Sequence, residues 1–227
     1  MPAVLITGAN RGIGFELARQ YAADGWEVIA TCRNPYACKD LGELKVRVEQ
    51  LDVTNFGAVD TLAKKLERTA IDVLINNAGI FGGDDMPDQT FSAQDLDRWP
   101  EVLMTNTIAP FAMARAFVDH VAGSEQKKIV TITSQLGSMT LGNGGCYAYG
   151  SSKAAANRVM VSLSVDLKDR GIACAALHPG WVRTDMGTER AELDVTESVT
   201  GLRRVIADLI LAKSGCFFNY DGSERAW

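Results

Sequence analysis

Seven short runs rich in β-branched and apolar residues recur along the chain, at 4–6, 28–31, 46–48, 73–75, 129–133, 173–177 and 216–218. Between them lie longer stretches with helical spacing. Residues 12–23 place Ile13, Leu17 and Ala18 on one face, and 56–67 do the same with Val59, Leu62, Ala63 and Leu66. The stretches 101–121 and 147–168 are long and apolar-rich, and 196–211 repeats Val199, Leu202, Val205, Ile206 and Leu209. Alternation of this kind predicts parallel βαβ units. The early runs are apolar throughout, as strands are when helices cover both sheet faces. No Pro/Gly/Ser linker divides the 227 residues. The expectation is an α/β chain folded as a single domain over 1–227, a doubly wound parallel sheet of about seven strands with helices on both faces.

Composition removes several function classes. Lys and Arg number 23 against 28 Asp and Glu, a net charge of −5. Nucleic acid is not an expected partner, since neutralising phosphates needs a basic face. With 47% hydrophobic residues, disorder is not expected. No run approaches the roughly 20 apolar residues of a membrane span, and the first residues lack the basic start of a signal peptide. The five cysteines, Cys32, Cys38, Cys146, Cys174 and Cys216, are odd in number, scattered and without a C-x-x-C. They read as reduced thiols in a cytoplasmic protein. The two histidines, His120 and His178, are far apart, so no metal site is expected.

Ligands of open parallel sheets bind beyond the carboxyl ends of the strands. After the first run comes Thr7-Gly8-Ala9-Asn10-Arg11-Gly12-Ile13-Gly14, opening a helix. Gly8 suits a tight turn, Gly12 a close approach to a pyrophosphate, and Gly14 close helix–strand packing. The helix N-terminus offers free N–H groups to phosphate, as in a Rossmann-type site. After the second run stands Cys32-Arg33-Asn34, with no acid for a ribose 2′-hydroxyl. Arg33 and Arg11 both suit a 2′-phosphate, which favours NADP(H) over NAD(H); each alone also suits a solvated surface. Asp52-Val53, after the third run, fits an adenine amino group or equally a helix cap or turn. Asn76-Asn77-Ala78-Gly79, after the fourth, fits a turn against a ribose or an Asx-turn.

Ser134 follows the fifth run. Tyr149 and Lys153 are spaced i, i+4 and so project from one helix face. An ammonium near a phenol favours phenolate and lowers the tyrosine pKa from about 10. Gly142-Asn143-Gly144-Gly145 lengthens the loop before Tyr149. After the sixth run, His178-Pro179-Gly180-Trp181-Val182-Arg183-Thr184 forms a stiff turn suited to covering a nicotinamide face, with His178 read as structural. Pro110 lacks an N–H, so a continuous helix through 101–121 would leave the Asn106 carbonyl unpaired and open to a bound water.

Together these residues resemble the short-chain dehydrogenase/reductase family over nearly the whole chain, most closely its small carbonyl-reductase and C-factor-like group. Asn106-Thr107-Ile108-Ala109-Pro110-Phe111, Ser134-Gln135-Leu136-Gly137-Ser138 and Gly215-Cys216-Phe217-Phe218 carry the subgroup likeness. The resemblance implies NADPH-dependent reduction of an aldehyde, ketone or quinone. Tyr149 would be the general acid, and the base in reverse. Ser134 would hold the substrate oxygen, with Ser138 as a second candidate. Lys153 would tune Tyr149 and hold ribose hydroxyls, and Asn106 would anchor a water linking Lys153 to solvent. Gly8, Asn10, Arg11, Gly12, Ile13, Gly14, Arg33, Asp52, Val53, Asn77, Ala78, Gly79, Tyr149, Lys153, Pro179, Gly180, Val182 and Thr184 would line the cofactor. A short substrate-covering segment near 185–195, with Met186 and Trp181 as contacts, predicts an open, loosely selective site. The partners implied are a small-molecule carbonyl or alcohol and a second copy, in a homodimer or homotetramer. Its face would lie on the helices 101–121 and 147–168, where the small and apolar Ala112, Ala116, Ala155 and Val159 suit close helix packing and equally suit packing onto the sheet. The alternative is a dinucleotide-binding signalling protein of the C-factor type with little turnover.

Overall fold

The computed structural model describes residues 1–83, 90–142 and 144–227. Asn143, part of the glycine-rich stretch before Tyr149, lies outside them. Seven strands form one sheet: β1 Ala3–Thr7, β2 Glu27–Cys32, β3 Arg47–Gln50, β4 Val73–Asn76, β5 Lys128–Ile132, β6 Ala173–His178 and β7 Phe217–Asn219. Their order is β3-β2-β1-β4-β5-β6-β7, and every pairing is parallel. The chain works outward from β1 in one direction through β2 and β3, then returns to place β4 on the other side. That reversal opens a crevice at the carboxyl ends of β1 and β4.

Alternation along β1 builds two cores. Val4 and Ile6 face a layer with Leu17 and Tyr21 of α1 (Gly12–Ala23), Leu41 of α2 (Lys39–Glu43), and Leu202 and Ile206 of α7 (Val195–Ala207). Leu5 faces the opposite layer, with Leu62 of α3 (Phe56–Lys65), Phe117 of α5 (Ala109–Ala122) and Met160 of α6 (Tyr147–Asp166). Each such fully buried side chain contributes about 1.5–3 kcal/mol relative to exposure. Among the described residues, no helix is long and apolar enough to cross a membrane.

Three expectations need correcting. The helix expected at 101–121 is α4 (Trp99–Leu103), a π turn (Met104–Ile108) and α5. Pro110 cannot donate to Asn106, and the chain widens there instead of continuing as an α-helix. β3 lies at Arg47–Gln50 rather than 46–48; it is a polar edge strand whose Glu49 accepts from Arg47 at 2.8 Å and Lys65 at 2.7 Å. α7 stops at Ala207, where the buried Lys128 Nζ donates to the Ile206 and Ala207 carbonyls at 2.8 and 2.9 Å. Ala112 is buried, while Ala116, Ala155 and Val159 are half-buried, Ala116 and Val159 packing against the layer that holds Phe117 and Met160. Among the described residues of these helices and the π turn, Ile108, Phe111, Tyr147 and Val165 are exposed.

Candidate active site

The glycine turn between β1 and α1 forms one wall of the crevice. Gly8 takes φ +65°, which a side chain would strain, and a Cβ there would lie 2.9 Å from the Ala78 Cα. Gly12 also has positive φ, and Gly14 and Ile13 turn inward, Ile13 against the core. The N-cap, Arg11, supplies no side-chain hydrogen bond, and the first turn of α1 carries no acid. Its first N–H groups are therefore available to an anionic ligand, with Asn10 exposed beside them. A tight glycine turn opening directly onto a helix N-terminus at the switch point fits the pyrophosphate of a dinucleotide.

The loop after β4 is bolted to this turn. Thr7 Oγ1 accepts from the Asn77 and Ala78 N–H groups, each at 3.0 Å. The Asn77 amide donates back to the Thr7 and Gly8 carbonyls at 2.9 and 3.1 Å. Its side chain thus joins two loops, where the sequence suggested a turn against a ribose. Gly79 backs onto Asn106 and Lys153; a Cβ there would be 3.1 Å from Asn106 Oδ1.

At the outer end, Arg33 is exposed and its carbonyl accepts from Gln50 Nε2 at 3.0 Å. Asp52 makes an Asx-turn, accepting from Thr54 N and Oγ1 at 2.9 and 2.7 Å. Those bonds, and secondarily the Arg33 charge, hold its carboxyl below the usual range. Val53 is buried beside it. Arg11 does not stand free for a 2′-phosphate: its guanidinium pairs with Asp185 at 2.6 Å across the crevice, both groups being exposed.

The loop after β6 forms the opposite wall. The Pro179 carbonyl accepts from Ser198 Oγ at 2.6 Å, Gly180 has positive φ, and Val182 bridges to Leu193. Thr184 lies against the glycine turn, within 3.3 Å of where a Gly12 Cβ would be. Residues 185–195 fold back on themselves. Trp181 Nε1 donates to the Gly187 carbonyl, and Arg183 donates to the Ala191 and Glu192 carbonyls. Trp181 and Met186 stay about half exposed, at 54% and 46%.

The chemical centre sits at the end of β5. Ser134 starts a short 3-10 turn (Gln135–Gly137), its Oγ accepting from Leu136 N at 3.2 Å. A Cβ on Gly137 would lie 2.7 Å from the Lys153 carbonyl carbon, so this turn presses directly on α6. His178 Nδ1 accepts from Gln135 N at 3.2 Å. Burial, helped by Arg225, pushes this histidine down to about 4, so it is a neutral structural acceptor. Ser138 is turned away, donating to the Ala226 carbonyl at 2.8 Å. Ser134, not Ser138, is the serine beside Tyr149.

Tyr149 and Lys153 share the face of α6 that meets this turn. Lys153 Nζ donates to the Ile132 carbonyl at 2.9 Å and lies 5.5 Å from the Tyr149 ring centroid. Burial pushes the phenol up to about 12, the Ser134 hydrogen bond pulling back against it. Burial likewise pushes Lys153 down to about 8. The expected lowering of the tyrosine by the lysine is therefore not found, because desolvation disfavours the charged form of both groups. Asn106, fully buried in the π turn, is bound on both sides. Its Oδ1 accepts from Ile80 N at 2.9 Å, and its Nδ2 donates to the Ile80 carbonyl and Ser152 Oγ at 2.8 and 3.0 Å.

The loop beyond β4 supplies neighbours that the sequence reading missed. The Phe81 ring lies 5.0 Å from that of Tyr149, and Phe91 lies 6.3 Å from Tyr147. Gln94 Oε1 accepts from Ala148 N at 3.3 Å, capping α6. The available signal was position: Phe81 closely follows the Asn76–Gly79 turn.

The family model described as short chain dehydrogenase matches residues 2–194. The C-signal protein of Myxococcus xanthus is 38% identical over 163 residues, 69% of this chain and 93% of that protein. Carbonyl reductase Sniffer of D. melanogaster superposes with TM-score 0.91 at 35% identity, covering 100% of both chains. An NADPH-bound carbonyl reductase from chicken fatty liver gives 0.91 at 33% identity, over 100% of this chain and 99% of that one. A match of this extent, over a seven-stranded sheet with a glycine turn at its switch point, leaves one assignment: the chain is an oxidoreductase of the short-chain dehydrogenase/reductase family, resembling its carbonyl reductases.

Proposed function

We propose that the chain is an NADP(H)-dependent reductase that converts an aldehyde, ketone or quinone to the alcohol with Tyr149 as general acid. The observation that carries this is the meeting of the Tyr149 phenol and the Ser134 hydroxyl at the end of β5, with the Lys153 ammonium behind them. When bound, the nicotinamide supplies the hydride. Ser134 donates to the substrate oxygen and orients it. Tyr149 holds its proton firmly and gives it to the alkoxide as negative charge develops there. In the reverse direction the same phenolate removes the alcohol proton. Lys153 has donors beyond the Ile132 bond for ribose hydroxyls, and an anionic dinucleotide favours its charged form. That charge stabilises the phenolate as it forms. Asn106 positions Ile80 and Ser152; with its amide so occupied, it reaches a water through its main-chain carbonyl.

Preference for NADP(H) over NAD(H) rests on Arg33 and on the lack of an acid after β2, in keeping with the NADPH-bound chicken enzyme. The open site edged by Phe81, Trp181 and Met186 supports apolar, loosely selected substrates beneath the short cover at 185–195. A cytoplasmic homodimer or homotetramer, paired through the helices at 101–121 and 147–168, completes the reading. The identity to C-signal favours one alternative, a dinucleotide-binding signalling protein with little turnover.

A panel of aldehydes, ketones, quinones and steroids with NADPH and NADH separates the two. Turnover with NADPH is expected. Tyr149→Phe is expected to lower kcat/KM about 10²–10⁴-fold while leaving NADPH fluorescence titration unchanged. Equal turnover in that variant defeats the mechanism, and equal NADPH and NADH affinities remove the role of Arg33.

A further inference from the structure

Two cysteines flank the turn that carries Arg33. Cys32 ends β2 and is 3% exposed, while Cys38 is half-buried at the end of the following 3-10 turn (Pro35–Ala37). Their sulfurs are 3.6 Å apart. The Cys38 thiol donates to the Asn34 carbonyl at 3.1 Å, and the Arg33 carbonyl is held by Gln50. The turn between the cysteines is thus fastened at two successive carbonyls, one of them by a thiol proton. A disulfide needs a sulfur separation of about 2.05 Å, so closure asks for a movement of roughly 1.5 Å by the half-exposed partner.

We propose that Cys32 and Cys38 form a dithiol modification site, which reacts with low-molecular-weight disulfides and, on closing, weakens NADP(H) binding by releasing the Arg33-Asn34 turn. The cofactor half of this rests on the function proposed above; the dithiol chemistry does not. The accessible Cys38 thiolate attacks one sulfur of a disulfide RSSR, forming a mixed disulfide and expelling RS⁻, which takes up a proton. Cys32 then loses its proton to solvent and attacks the Cys38 sulfur, expelling the second RS⁻. Two protein thiols are oxidised by two electrons, and RSSR is reduced to two RSH. Burial pushes the Cys32 thiol up to about 11, consistent with its acting second, from inside the core. The Cys38 proton that bonded the Asn34 carbonyl is gone in the product. The turn loses one of its two fastenings while its end is drawn toward β2.

The test treats the reduced full-length chain with oxidised glutathione, followed by intact mass, peptide mapping and NADPH and NADH titration. The expected product has lost two hydrogen atoms, yields a Cys32–Cys38 cross-linked peptide, and binds NADPH about tenfold more weakly until dithiothreitol restores it. Cys32→Ala, which keeps the Cys38 bond to the Asn34 carbonyl, is expected to bind NADPH like the reduced parent before treatment and to yield no intramolecular cross-link after it. No cross-link, or reaction that halts at a Cys38–glutathione adduct, overturns the site. A cross-link with unchanged NADPH affinity overturns the coupling. Should the reduced chain bind NADPH and NADH equally, the cofactor preference fails instead, and the cross-linked peptide still decides the dithiol.

Discussion

The centre at the end of β5 and the rim of the crevice are built on opposite terms. At the centre, Asn106, Ser152 and Lys153 are buried, and each is bonded to a different stretch of chain. Five segments meet there: the loop after β4, the π turn, β5, the 3-10 turn and α6. At the rim, Arg11 and Asp185 meet with side chains 67% and 72% exposed. Buried hydrogen bonds fix positions because the alternative, an unpaired polar group, costs about 1–3 kcal/mol. An exposed ion pair fixes little. The groups proposed for proton transfer are therefore held rigidly, while the proposed cofactor rim carries side chains able to change partners.

The centre should break sharply when its packing is disturbed. Gly137→Ala places a methyl 2.7 Å from the Lys153 carbonyl carbon and 2.8 Å from Ala154 N, both backbone atoms that cannot swing aside. Overpacking of this kind costs about 1–3 kcal/mol. A shift of Ser134 relative to Tyr149 by roughly 1 Å costs about a hundredfold in kcat. Thermal unfolding and steady-state kinetics check both effects, and a variant with parental kcat refutes the rigid contact between the turn and α6.

Lys153→Met sharpens the same contrast by separating function from stability. In the folded chain Lys153 holds its proton only below about 8, whereas an unfolded lysine does so to about 10.5. Between those values the unfolded chain binds more protons, so this group makes stability rise with pH across that window. Below it, the buried charge is a penalty. The cofactor-free methionine variant is expected to be more stable than the parent near pH 7 by about 1–3 kcal/mol, with the gap narrowing toward pH 10, and to have lost its reductase activity. Denaturant titrations at the two pH values read this directly. A parent that is the more stable of the two at neutral pH contradicts the account.

How far the site was legible follows the same division. Strand ends, the glycine turn and the i, i+4 spacing of Tyr149 and Lys153 are local patterns, and they could be read from neighbouring residues. So could the exception at Pro110, although not its outcome as a π turn. What escaped depends on contacts distant in sequence. The balance that raises Tyr149 instead of lowering it comes from burial, which no spacing reports. The Asn77 amide turned to Thr7 and Gly8 because two loops adjacent in space share their unpaired groups. Ala112 and Ala116 suit either side of a helix, since small residues pack equally onto a sheet or a second helix, and no local pattern decides between them. Phe81 was passed over because its significance is the ring it meets, that of Tyr149.

The smallest effect belongs to the rim, and it tests whether Asp185 competes with the cofactor for Arg11. The pair closes at 2.6 Å, yet both groups are largely in water, so its net coupling is expected below about 1 kcal/mol. A double-mutant cycle on Arg11→Ala and Asp185→Ala, read by unfolding, should return a value in that range. Its consequence for binding has a sign that stability does not share. Asp185→Asn frees the guanidinium and removes a negative charge from the crevice, so it should tighten NADPH binding by a few-fold, more at low salt than at high. Arg11→Ala should weaken binding, and Asp185→Asn added to it should then tighten binding less than it does in the parent. Weaker binding in the Asp185→Asn variant alone would mean that Asp185 supports the cofactor site instead of competing for its arginine, and the rim would then belong with the built centre.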